Sequence, residues 1–186
     1  MKIKETLYAP FRKWAEYGPI WIYSDTHFDD PDVKYTVDGD EQIKRINAHV
    51  GRKDTIIFLG DIGNTEYVKK IKGYKVLIKG NHDAGNANYE NLFNEVYGGP
   101  LFIAEKVLLS HEPIKGPWIN IHGHEHTSSD PYCMCANLIN YTPRRLDELL
   151  EGNIGKVEGI HRKTIDHATA RKKSRKKKQF RLLISL

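Results

Sequence analysis

The chain has 186 residues, 39% apolar and 28% charged, with 15 Gly and 8 Pro, a composition ordinary for one soluble globular domain. No run approaches the ~20 apolar residues of a membrane span, and the opening Met1-Lys2-Ile3-Lys4-Glu5 lacks the apolar stretch of a secretory signal, so a cytoplasmic protein without membrane contact is expected. The net charge of +5 hides a division: residues 152–186 hold 11 Lys/Arg against 2 Asp/Glu, while the other 151 residues hold 18 against 22.

Ile3, Leu7, Phe11 and Trp14 fall at near-helical spacing interrupted by Pro10, which predicts a short helix or docked arm over residues 1–18. Residues 20–23 read as a buried strand running into Asp25, followed by an acidic, turn-rich loop at 28–40. Ile43, Ile46 and Val50 then form one face of a helix that Gly51 ends. Residues 55–59 predict a second buried strand delivering Asp61. Asn64 is a natural N-cap for a short helix through Ile71, closed by Gly73. A third strand at 74–78 delivers Asn81 and His82. This alternation implies βαβ units and a largely parallel sheet.

After a short helix from Asn88 to about Glu95, residues 101–104, 106–109, 118–121 and 132–137 predict strands of a second, more antiparallel sheet packed on the first. Residues 144–150 predict a last helix stopped by Gly152. Cys133 and Cys135 sit one residue apart on the last of these strands. Strand alternation would point their side chains to opposite faces, so buried reduced thiols are expected rather than a disulfide.

Five polar motifs stand at or just after these apolar runs: Asp25-Thr26-His27, Gly60-Asp61, Gly80-Asn81-His82-Asp83, Ser110-His111-Glu112-Pro113 and Gly123-His124-Glu125-His126. Any one histidine would most simply be a satisfied structural residue. Five ligand-type motifs each ending an apolar strand are not explained that way. Strand ends are where active-site loops gather in layered α/β folds. Asp25 and His27 can face one ion if the chain turns between them. Asp61 has two oxygens with which to bridge two ions, and Asn81 offers a neutral oxygen. His124 and His126 lie on one side of an extended segment, and His122 lies two residues back in the strand, where a supporting or core role fits best.

The order of these motifs resembles the calcineurin-like metallophosphoesterases, over residues 25–126 with framework likeness through Asn140-Tyr141-Thr142-Pro143. The resemblance implies an α/β sandwich of four layers, in which two mixed β-sheets pack face to face with flanking helices. It also implies a two-metal centre at the strand ends. Carried over, Asp25, His27 and His126 would bind one metal, and Asn81, His111 and His124 the other. Asp61 would bridge them, and His82 would face the substrate as proton donor or phosphate-oxygen ligand. The chain departs from compact relatives in having Asp29-Asp30 where these often have Gly-His. It also has Asn64 where some carry an acid, so a carboxylate orienting His82 would come from elsewhere. Asp83 is the nearest by sequence.

Two divalent ions so held would lower the pKa of a shared water, whose hydroxide attacks the phosphorus, and would offset charge on the phosphate oxygens. His82, with an ordinary pKa of ~6.5, would protonate the leaving oxygen. Oxygen and imidazole ligands without thiolate suit Mn, with Fe as a second choice and Zn or Co as further ones. The expected activity is hydrolysis of a phosphodiester or phosphomonoester by a domain at 19–152. The basic tail at 153–186 leaves a second reading open, a nuclease or nucleic-acid-end phosphoesterase contacting phosphate backbones nonspecifically through residues 171–178. A nonenzymatic metal-binding scaffold is a third. Residues 180–186 are apolar enough to dock as an edge strand.

Overall fold

Short strands build the first sheet, and its central strand, Thr55–Phe58, is buried on both faces, as its Ile56-Ile57-Phe58 run requires. The computed structural model describes residue 14 and residues 18–83, 88–104 and 106–150. The predicted arm, apart from Trp14 and Gly18, the whole basic tail with residues 171–178, the apolar end and the Gly152 stop lie outside the described residues.

In chain order the elements are β1 (Ile20–Tyr23), α1 (Gly39–His49), β2 (Thr55–Phe58), a 3-10 helix (Thr65–Lys70), β3 (Tyr74–Ile78) and a 3-10 turn (Tyr89–Asn91). Then come β4 (Glu95–Tyr97), β5 (Leu101–Ala104), β6 (Val107–Leu109), β7 (Ile119–Ile121), β8 (Arg144–Arg145) and α2 (Leu146–Leu150). One mixed sheet has the order β4-β3-β2-β1-β8, parallel except for β8; a second has the order β5-β6-β7. The second sheet is mixed as well, since β6 pairs antiparallel with β5 but parallel with β7.

Helix α1 begins where Asp38 accepts a hydrogen bond from Glu41 N at 2.8 Å, and it buries Ile43 and Ile46. Its Gln42 is buried among polar partners, accepting from Tyr23 Oη and donating to the Thr26 carbonyl, both at 3.2 Å. Asn64 does cap a helix, accepting from Glu66 N, but the helix is of the tighter 3-10 kind.

Three local expectations need correction. The helix foreseen from Asn88 to Glu95 is only the turn Tyr89–Asn91, and Glu95 opens edge strand β4, paired with Val76. Residues 132–137 form no regular strand. They touch both sheets through isolated bridges, Ser24 with Cys135 and His122 with Cys133. Without strand alternation the two thiols do not face apart: both are free and buried, and their sulfurs lie 3.5 Å from each other. Finally, Arg144–Arg145 pair with β1 before the helix begins at Leu146. No helix among the described residues is long and apolar enough to cross a membrane.

The registers Tyr23 to Phe58 and Phe58 to Leu77 bring β1, β2 and β3 to a common edge. Backbone bonds continue beyond it, from Asp25 N to Gly60 O and from His27 N to Asp61 O, both 3.0 Å. Leu109 and Ile121 are likewise level in the second sheet, and Gly123 N reaches His111 O at 2.9 Å. The segment around Cys133 and Cys135 ties the two edges together, so all five motifs open at one end of the molecule.

Candidate metal centre

The loops turn inward at a conformational cost. Asp25, His27, Asp61 and His124 all have left-handed backbones, with φ of 53°, 37°, 54° and 67°. Such residues cost of order 1–3 kcal/mol each and persist where the surroundings impose them. Two glycines make the close approach feasible. A Cβ on Gly60 would lie 2.5 Å from Gly80 N and 2.7 Å from His111 Nδ1, and one on Gly123 would collide with Ser24 Oγ and the Asp25 carboxylate.

The ligand-type atoms form two overlapping groups. In the first, His126 Nε2 lies 3.4 Å and His27 Nε2 4.0 Å from Asp25 Oδ1, and His27 Nε2 is 3.6 Å from Asp61 Oδ2. In the second, His111 Nε2 is 2.8 Å from Asn81 Oδ1 and 3.1 Å from His124 Nδ1, with His124 Nδ1 also 3.1 Å from Asn81 Oδ1. Asp61 Oδ2 is 3.4 Å from His111 Nε2, so this one oxygen faces both groups. Its other oxygen accepts from His82 N at 2.9 Å. Side chains of Asp25, His27 and His126, and of Asp25, Asp61 and His111, each offer donor atoms within 4.8 Å of one another.

Proton positions can be read from the outward-facing nitrogens. His27 Nδ1 is 2.8 Å from Asp30 Oδ2 and must donate to it, which leaves Nε2 with a lone pair. That Nε2 is buried and has no hydrogen-bond partner. His111 Nδ1 donates to the Leu59 carbonyl at 2.7 Å, so its Nε2 also presents a lone pair, here against the acceptor oxygen of Asn81. Tyr35 Oη donates to Asp25 O at 2.6 Å, so its contact with His126 Nδ1 at 3.2 Å is made by the imidazole N–H. Asn137 Oδ1 shares that proton at 3.3 Å. Three histidines therefore turn bare Nε2 atoms inward. Bare nitrogens facing carboxylate and amide oxygens repel unless a cation lies between them, so the donor set fits divalent ions.

The surroundings fix this geometry. Asp25 Oδ2 accepts from His124 N at 3.0 Å and is met by Ser24 Oγ at 2.5 Å and Cys135 Sγ at 3.4 Å. Burial, opposed by the His82 N–H bond, pushes the Asp61 carboxyl above its ordinary range. The hydrogen bond to His27 holds Asp30 below the usual carboxylate range, against the opposing effect of desolvation.

The remaining sequence candidates lie as follows. His82 is exposed, its ring 5.4 Å from that of His27. Asp83 does not orient it. Its buried carboxylate accepts from Asp61 N (2.7 Å), Ile62 N (3.0 Å), Gly80 N (2.9 Å) and Tyr89 Oη (3.0 Å), locking two ligand loops together. His122 turns away from both groups, with Nδ1 on Gly123 O at 2.9 Å and Nε2 3.4 Å from Asp130. Burial works against its charged form, but hydrogen bonds with Cys133 and Gly123 outweigh this and raise its pKa to about 9. Asp30, Tyr35 and Asn137 are site residues that the motifs did not announce. Only Asp30, three residues beyond His27, carried a spacing signal.

The profile of the calcineurin-like phosphoesterase family matches residues 18–179, most of the chain. The chain belongs to this family of metal-dependent phosphoester hydrolases. Among solved structures, a protein of unknown function from Aquifex aeolicus is similar, with 22% identity and a TM-score of 0.57 over 72% of this chain and 98% of that one. The nuclease MPE of Pseudomonas putida is also similar, at 24% identity and a TM-score of 0.46, over 59% of this chain and 64% of that one. The first likeness shows the shared fold. No curated protein matches the sequence.

Proposed function

We propose that the protein is a binuclear metallophosphoesterase that cleaves a phosphate ester, with His82 as general acid. In this reading Asp25, His27 and His126 would hold one divalent ion, Asn81, His111 and His124 would hold the other, and Asp61 would serve both. The observation that carries it is His27 Nε2, a buried, unpartnered lone pair aimed between the carboxylates of Asp25 and Asp61. Nitrogen and oxygen donors without thiolate favour Mn²⁺, with Fe, Zn or Co as substitutes. Bound ions would polarise the phosphate oxygens and make a water acidic enough to supply the nucleophile near neutral pH.

The chain's own groups do the rest. Asp30, Leu59 O, Tyr35 and Asn137 keep three imidazoles in the tautomer that presents Nε2. Asp83 sets the distance between the Asp61 loop and the Asn81-His82 turn. His82, exposed beside the first group, carries a proton to the leaving oxygen. The test is Mn²⁺-dependent hydrolysis by metal-stripped protein, with His82→Ala alongside. Turnover should fall about 10²–10⁴-fold, the usual scale for a general acid, with bound metal retained. Loss of metal in His82→Ala would refute its role as acid.

A further inference from the structure

Beside the second ligand group lies an open cavity of about 240 Å³ that the proposed chemistry leaves unassigned. Asn81 and His111 line it together with Lys79, Gly98, Gly99 and Glu112. His82 stands on the other side, against His27. Resting on the reading above, a phosphate that spans both ligand groups with its leaving oxygen at His82 has a further oxygen on the Asn81–His111 side. A monoester would carry nothing there. We infer that this cavity seats the ester group that is not expelled, and that the substrate is a phosphodiester with a compact, hydroxylated, sugar-sized retained substituent.

Size and chemistry limit that substituent. The volume falls below the roughly 300–1,000 Å³ of pockets for drug-sized ligands, so the cavity encloses about one ring unit. Ser110 in the lining is already engaged, its hydroxyl donating to Glu112 O at 2.6 Å and accepting from Asn120 Nδ2 at 2.8 Å. Recognition therefore falls to Lys79 and Glu112. The Lys79 ammonium rests 5.2 Å above the centre of the Tyr89 ring, and the exposed Glu112 carboxylate can accept from hydroxyls. Their opposite charges suit a neutral polar group better than a second phosphate.

The two glycines make the inference testable without disturbing the fold. A Cβ on Gly98 or Gly99 would meet nothing within 4 Å, and neither glycine has a left-handed backbone. Both glycines line the cavity, so an indole in Gly98→Trp or Gly99→Trp would take up space at its wall. The full chain loaded with Mn²⁺ is assayed on bis-p-nitrophenyl phosphate and on p-nitrophenyl phosphate. Wild type should prefer the diester, and one variant should lower the diester-to-monoester ratio of kcat/KM about tenfold or more, chiefly through KM. Calorimetric Mn²⁺ binding should stay as in wild type. A wild type that prefers the monoester, or a ratio unmoved in both variants, overturns the inference while the phosphoesterase reading stands. Absence of Mn²⁺-dependent cleavage of either ester would remove that reading, and this one with it.

Discussion

Replacing Asp83 with Asn should destabilise the metal-free protein more than almost any other single polar change. The carboxylate is 1% exposed and accepts four hydrogen bonds, two on each oxygen. An amide keeps one accepting oxygen and turns two donor hydrogens toward groups that can only donate, or for the Tyr89 hydroxyl must reorient. Bonds to a charged acceptor contribute about 1.5–3 kcal/mol each, and leaving their donors buried and unpaired costs the same order. Two lost bonds therefore predict a loss of about 3–5 kcal/mol, a large share of the roughly 5–15 kcal/mol available to a domain. At about 2–4 °C per kcal/mol for a chain of this length, Tm should fall by about 10 °C. Tyr89→Phe, which removes a single partner, should cost only about 1 kcal/mol. Urea denaturation of metal-stripped protein gives both values. A loss below about 1 kcal/mol for Asp83→Asn, or a Tyr89→Phe effect equal to it, would refute the view that Asp83 joins the two ligand loops.

Other expectations concern metal affinity. Asp30→Ala should weaken Mn²⁺ binding about 10–100-fold by freeing the His27 tautomer; calorimetry showing wild-type affinity would contradict this. Tyr35→Phe should weaken it about tenfold, since His126 Nδ1 then keeps only the 3.3 Å contact with Asn137; an unchanged affinity would show that the phenol merely packs. Binding should also weaken on acidification, beginning above the ordinary aspartate pKa of ~3.9 because burial raises Asp61. The sign follows from Asp61 as well: with a raised folded pKa, it lends the metal-free fold stability in acid that is lost as pH rises through that pKa. The Tm increase on adding Mn²⁺ should therefore grow from pH 4 toward neutrality, and a pH-independent increase would count against Asp61 as a ligand.

The strands at 20–23, 55–58 and 74–78 were legible because each is short, dominated by apolar and aromatic residues, and followed by a polar turn. The eight residues named from the motifs do converge at one end of the sheets. What was not legible has local causes. Strand β4 has three residues, too few to show a period, and it follows a turn that begins like a helix. Cys133 and Cys135 defied alternation because isolated bridges, rather than a ladder, hold their segment. Asp83 was read by its proximity to His82, but its backbone N bonds Gly80 O at 3.3 Å in a tight turn that swings the carboxylate inward. Asp30 meets His27 only because His27 and Asp29 are left-handed, with φ of 37° and 51°. Tyr35 depends on the path of an irregular loop, which no periodicity records.

The most direct test of the account is a titration of metal-stripped protein with Mn²⁺, following bound metal and hydrolysis of bis-p-nitrophenyl phosphate together. The account predicts two ions per chain, activity that appears as the second site fills, and loss of both sites in Asp61→Ala. One ion per chain, or hydrolysis that persists without metal, would contradict it.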